Sequence, residues 1–159
     1  MVTTTYIKFD SIAGESIDKA HPGEVEVHSW NWGLSNTGVA GGAGGGGGTG
    51  KADPHHLSFS HYYDKASPIL AKNCASGKHI KSVVLSARKA GEQQKDYLKI
   101  TLSDVLITSC AVSDYRDNPM EEVAMVYSAI TVSYQAQDPN GSLGAPVTFD
   151  WNIKTGKIT

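Results

Sequence analysis

The chain has 159 residues, 40% of them hydrophobic, with 16 acidic and 14 basic side chains that leave a formal net charge of -2. That length suits one domain able to bury its own core without disulfides or a structural metal. The near balance of charge supplies no basic footprint for nucleic acid, and no apolar run approaches the ~20 residues of a membrane span, so neither nucleic acid nor membrane insertion is expected.

The first ten residues, MVTTTYIKFD, lack a positively charged start leading into an apolar stretch. No signal peptide is therefore expected, and synthesis as a soluble cytoplasmic species is. Strands are predicted over residues 3–9, 24–32, 55–63, 79–87, 96–109, 123–135 and 146–153, an all-β pattern with one short α-helix. That helix lies within residues 64–77, with Ser67 as N-cap, Pro68 at the first helical position and Gly77 as a left-handed stop. Ile69, Leu70 and Cys74 give it one narrow apolar stripe for packing on the sheet.

Two predicted strands change sides partway. In residues 24–32 the apolar positions begin odd, at Val25 and Val27, and continue even, at Trp30 and Trp32, with the switch near His28 and Ser29. In residues 96–109 the even set Leu98, Ile100 and Leu102 gives way to the odd set Val105 and Ile107 across Ser103 and Asp104. Side chains alternate strictly along a strand, so each switch implies a bulge or a bend that carries the strand between packed sheets. Corners of this kind build a small barrel or an orthogonal sandwich. Leu106 breaks the polar half of the second pattern and points to an outer face that is also covered. After the first switch, Trp30 and Trp32 are the core anchors, and Ser29 and Asn31 point away from the core. The plainer reading of that pair is an ordinary solvent face; the sharper one is a strand lining something wet.

Between two predicted strands the chain carries eight glycines in ten residues, positions 41–50, followed by Lys51. Gly45, Gly50 and Lys51 match the first part of a phosphate-binding loop. Ala52 stands where the Mg²⁺-binding hydroxyl is needed, and Asp53-Pro54-His55-His56 stands where a helix should begin, so nucleotide binding is set aside. What remains is an extended Gly-rich loop at about residues 36–53, and a long loop inside a domain is usually functional. Its expected partner is another protein surface, reached through Gly38, Gly41, Gly44, Gly46, Gly48, Gly50 and Lys51.

Chemistry is sparse. Period-two alternation puts His55 and His61 on one face and His56 on the other, with no carboxylate or cysteine at zinc-like spacing, and the expectation is exposed or strand-end histidines. Cys74 and His79, split by Gly77, read as helix packing followed by a strand start. Gly33-Leu34-Ser35-Asn36-Thr37-Gly38 has the wrong spacing for a nucleophile elbow and no helix after it. The carboxylates sit mainly at turns and strand ends, where surface charge is the expectation. Cys74 and Cys110 are far apart in sequence and read as two free thiols of a reducing compartment. No catalytic residue, metal or cofactor is expected.

The segments together closely resemble the Hcp family, the tube-forming protein of bacterial type VI secretion systems. The resemblance runs through Tyr6-Ile7-Lys8-Phe9-Asp10, Gly14-Glu15-Ser16, His28-Ser29-Trp30-Asn31-Trp32-Gly33 and Thr49-Gly50-Lys51. It continues through Asp64-Lys65-Ala66-Ser67-Pro68, Gly77-Lys78-His79-Ile80, Arg88-Lys89-Ala90-Gly91, the stretch Tyr97 through Leu106 and Trp151-Asn152-Ile153. Departures fall mostly in a turn at 112–119 and a loop at 138–145. The resemblance implies a single β-barrel domain over residues 1–159, of two packed sheets with a flanking helix, similar to contractile-phage tail-tube proteins. It implies hexameric rings that stack into a tube, effector proteins carried in the channel, and sheath and spike components as partners. It further implies residence in the bacterial cytoplasm, then export through the secretion machine itself; with the chain ending at Thr159, no appended toxin domain is expected. Ser29 and Asn31 become candidates to face the channel, and the glycine loop a candidate to reach a neighbouring subunit or ring. The alternative from another class is a small-ligand-binding or cofactor-free enzymatic β-barrel using His55, His61 or a cleft beside Trp30. A third is a monomeric adaptor that binds through the glycine loop.

Overall fold

The computed structural model of the chain describes residues 3–38, 50–89 and 94–159. Their elements in chain order are β1 (Thr3–Phe9), β2 (Val25–Val27), β3 (Ser29–Asn31), β4 (Leu34–Asn36), β5 (Ala52–Pro54), β6 (Leu57–Tyr62), α1 (Ser67–Ser76), β7 (Ile80–Lys89), β8 (Asp96–Tyr115), β9 (Asn118–Tyr134), β10 (Val147–Asn152) and β11 (Lys157–Ile158). The expected class holds: strands dominate and the helix is short. No helix among the described residues is long and apolar enough to cross a membrane.

One antiparallel sheet runs β11-β10-β9-β8-β7-β1-β2, and β4 with β5 forms a second, two-stranded sheet. The main sheet branches at β9. Residues Met120 to Met125 of β9 pair with β6, while Ala129 to Tyr134 pair with β10. The sheet curls until its far strand β2 comes against β6. Its barrel is not closed by a continuous ladder: β2 is bonded to β1, and β3 to β6. The core, including Ile7, Phe9, Phe59, Leu85, Met125 and Ile130, fills the inside of the curl.

Both side-switches read from the sequence are present, each with its own cause. At His28 the strand breaks, leaving β1 and joining β6, and the His28 amide donates to Ser60 O at 2.8 Å. Val25 and Val27 are buried before the break, and Trp30 is half-buried after it. The second switch is a bend without a register shift. Leu102 and Val105 are both buried, as are Ile80 and Val83 on β7 and Tyr127 and Ile130 on β9, and the pairing stays in step across all three strands. Asp104 makes the bend with a left-handed backbone, φ 51°. Its carboxylate accepts from Ser128 Oγ (2.7 Å) and Lys154 Nζ (3.0 Å) and bonds His79 Nδ1 (2.7 Å). The Ser128 hydroxyl first, then His79 and Lys154, hold it well below the usual carboxylate range. A true bulge follows between Ile107 and Ser109. Leu106, on the outer face, is half-buried.

Four expectations are corrected. Ser67 is not the N-cap: Ala66 holds that position, and Ser67 is fully buried in the first turn, because Asp64 already turns the chain by accepting from Ala66 N at 2.9 Å. Gly77 does end the helix, with φ 68°. The helix buries Ser67, Leu70 and Asn73, spaced three apart, and leaves Ile69 exposed, so the stripe is not the one predicted. Residues 112–119 continue the β8–β9 hairpin, which turns tightly at Arg116 and Asp117, both with positive φ (50° and 63°). Such a primed turn usually announces itself with glycine; here it does not. Finally, His61 and Glu121 are neither exposed nor at the surface. They occupy paired positions on β6 and β9, are 0% and 1% exposed, and bond through His61 Nε2 and Glu121 Oε1 at 2.8 Å.

The bend makes Asp104 intolerant of β-branched replacement. Asp104→Val, which must hold a left-handed backbone and loses all three side-chain bonds, is expected to lower the thermal midpoint by about 5 °C, measured by calorimetry. Asp104→Asn keeps a residue that tolerates this backbone and should lose less. The carboxylate's contribution is complete above its ordinary value of 3.8 and disappears as acid takes the pH down through its lowered folded value.

Candidate assembly surfaces

The glycine-rich segment springs from a β-ribbon that the sequence reading took as loop. Leu34 pairs with Pro54, Ser35 with Asp53 and Asn36 with Ala52. Beyond them Thr37 N donates to Lys51 O (3.2 Å) and Lys51 N to Thr37 Oγ1 (2.9 Å). Asn36 then bridges the two arms, its Oδ1 accepting from Gly38 N (2.7 Å) and its Nδ2 donating to Gly50 O (3.2 Å). The arms are so close there that a Cβ on Gly50 would collide with the Gly38 backbone. Glycine is needed at that point for contact within the ribbon itself. Gly41, Gly44, Gly46 and Gly48 lie outside the described residues; Gly38 is exposed, and so is Lys51.

Every β4 residue is exposed, whereas Ala52 of β5 is partly buried and packs against the core cluster. The base of the ribbon is tied by side-chain hydrogen bonds. Trp32 Nε1 donates to Tyr127 Oη, and that hydroxyl donates to His55 O at 2.7 Å, so one phenol holds the chain as it enters and leaves the ribbon. Burial raises the Tyr127 pKa, while the Trp32 bond opposes this. Trp30 and Trp32 are partly buried and pack against the core cluster. Beside the ribbon lies a groove of about 590 Å³ whose apolar wall includes Ala52, Pro54, Trp151, Ile153 and Ile158.

Ser29 and Asn31 are exposed on β3. Strand pairing shows what shares their face. One row crosses four strands as Ser29, Ser60, Glu122 and Ala111; the next crosses as Asn31, Ser58, Ala124 and Ser109. The face is therefore smooth and hydrophilic, with small side chains and a single charge per row at most. Sequence reasoning found its β3 members alone. Alternation in 57–62 (LSFSHY) carried the signal for Ser58 and Ser60, but their neighbours on β8 depend on the bulge after Ile107, which the sequence does not mark.

The remaining candidates separate. His55 bonds Ser35 Oγ through Nε2 at 3.1 Å, at the ribbon base, whereas His61 is sealed in the core with no surface to offer a ligand. A second cleft of about 440 Å³ is acidic, lined by Glu15, Glu26 and Asp64 beside His28, Tyr62 and Tyr63. Burial, followed by weaker repulsion from Glu15, raises Asp64 against the pull of His61. Among the described residues no group of three or more His, Cys, Asp or Glu side chains stands at metal-binding spacing.

Comparison with known proteins places the chain in a family. Residues 6–134 match the family described as type VI secretion system effector, Hcp. Protein hcp1 of Pseudomonas aeruginosa is 42% identical over 158 residues, covering 97% of each chain. Among solved structures, a type six secretion system protein superposes with a TM-score of 0.93 at 27% identity, over 99% of this chain and 100% of that one. Hcp1 from Salmonella typhimurium superposes with a TM-score of 0.80 at 33% identity, over the whole of both chains.

The Tyr127 tether yields a test. Tyr127→Phe leaves the Trp32 N–H and the His55 carbonyl without their shared partner, and is expected to cost about 1–2 kcal/mol in chemical denaturation. Amide exchange at residues 33–38 and 50–55 should rise more than in the core strands, because the ribbon base loses the hydrogen bonds that this phenol makes while the apolar ring stays in place.

Proposed function

This chain belongs to the Hcp family of type VI secretion proteins, and we propose that it is the structural subunit of the secretion tube, six copies closing into a ring and rings stacking end to end. The observation that carries this reading is the ribbon. A lone two-stranded sheet is marginal in water, and this one has a fully exposed strand and leads into a sequence too rich in glycine to build a core. Such an element gains most by laying its backbone on another surface. In a cyclic ring every contact joins two different surfaces of successive subunits, and the ribbon with the apolar groove beside it supplies one of the two. Glycine permits close backbone approach there.

The four-strand polar face is the proposed channel lining, with Ser29 and Asn31 among its members. Small uncharged side chains, with Glu122 as the one charge in the two rows, offer weak, distributed contacts, suited to holding effector proteins during transit without trapping them. Sheath and spike components are the remaining partners, and the route is from bacterial cytoplasm to export through the machine. A structural, non-enzymatic role is part of this reading, and it is supported by the burial of His61, one of the residues the enzymatic alternative would use.

Light scattering across a dilution series should give a closed multiple near six subunits; a stable monomer would sink the tube reading. Deleting residues 41–48 should leave a folded subunit by circular dichroism while rings or stacks are lost, and unaltered assembly would remove the ribbon from the interface. With the ring intact, Asn31→Gln should change the amount of effector retained on a pull-down; unchanged retention takes Asn31 out of the cargo contact.

A further inference from the structure

Cys74 and Cys110, remote in the sequence, are neighbours in the fold. Helix α1 lies across β8, and its last turn delivers Cys74 to that strand. On β8 the extra residue between Ile107 and Ser109 turns Cys110 inward, opposite buried Val123. Without the bulge Cys110 would fall on the outer face. Both thiols are free, half-buried and packed against one core cluster. The Cys74 thiol lies near enough to the Cys110 thiol to act on it.

We propose that Cys74 and Cys110 form a modification site: a disulfide donor met outside the reducing cytoplasm converts this dithiol into an intrachain bond that fastens α1 to β8. The inference is independent of ring formation and uses the export route only to say where the oxidant is met.

The chemistry assigns an order. Burial above all, then the Glu121 carboxylate and the neighbouring Cys74 thiol, push the Cys110 thiol up to about 12. Cys110 is thus a poor first attacker, since the thiolate is the nucleophile. Cys74, as thiolate, attacks one sulfur of an external disulfide such as oxidised glutathione, breaking that S–S bond and releasing one glutathione thiolate. Cys110 then gives up its proton and attacks the Cys74 sulfur of the mixed disulfide, expelling the second glutathione thiolate. Two cysteine thiols are oxidised, one external disulfide is reduced to two thiols, and the two cysteine protons end on the released glutathione.

The full chain is incubated with oxidised glutathione at pH 8, quenched with acid and followed by intact mass. A transient adduct at Cys74 should give way to a product two hydrogens lighter than the reduced chain, with no alkylatable thiol, a Cys74–Cys110 linked peptide and a single-chain band on a non-reducing gel. Cys110→Ser should instead stop at a stable glutathione adduct on Cys74. Closing a loop of about 35 residues should raise the thermal midpoint of the oxidised wild type by about 10 °C, reversed by reductant. Adducts on both cysteines at once, bonds only between chains, or two thiols that remain alkylatable would each overturn the proposal.

Discussion

Everything in this fold depends on three neighbouring strands changing sides at the same level. A strand presents alternate side chains to opposite faces, so a strand that turns a corner must repeat a face or lose its core. Here β7, β8 and β9 do so together, with Ile80 and Val83, Leu102 and Val105, and Tyr127 and Ile130 all buried across the corner. Because pairing stays in step, no strand needs an extra residue there. The strain concentrates in the left-handed backbone of Asp104, whose carboxylate is held by Ser128 on the adjacent strand and by His79 and Lys154 from outside the ladder. Beyond the corner β9 has exchanged β10 for β6 as its second partner.

Alignment of that new partner has its own lock. His61 and Glu121 face each other directly across β6 and β9, both buried. A buried polar pair adds little net stability. Its effect is on the alternatives: a slip of one residue would turn every side chain of β6 over, parting this pair and leaving a carboxylate in the core. The penalty for the wrong register thus exceeds the gain in the right one. Ser58 and Ser60 are held on the outer face by the same alignment, so the smooth polar surface and the buried pair are two consequences of one register.

Much of this was legible in the sequence because the core obeys period two. The long apolar alternations gave the strands, and the two parity switches at His28 and Asp104 were visible as interruptions of that period. What stayed hidden lacks a periodic signal. The ribbon strands β4 and β5 are three residues each and exposed, so no face of theirs is marked by apolar residues. The hairpin turn at Arg116 and Asp117 carries no glycine. The burial of His61 and Glu121 is set by partners from a strand far along the chain, and the meeting of Cys74 with Cys110 by a helix packing that no local pattern encodes. The members of the polar face on β8 and β9 follow from register alone.

The corner also explains where the ribbon is attached. Tyr127 is one of the residues that the bend at Asp104 and Ser128 turns into the core. Were β9 to alternate without interruption from Ile130, Tyr127 would point outward and its hydroxyl would miss both Trp32 and His55. With the bend, the phenol reaches from the inside to the single point where the chain leaves for the ribbon and returns from it. A ribbon of two three-residue strands is thereby given a fixed root. The root sets its direction relative to the apolar groove and the polar face. The same geometric event that closes the core therefore fixes the launch point of the segment through which this chain is proposed to find its neighbours.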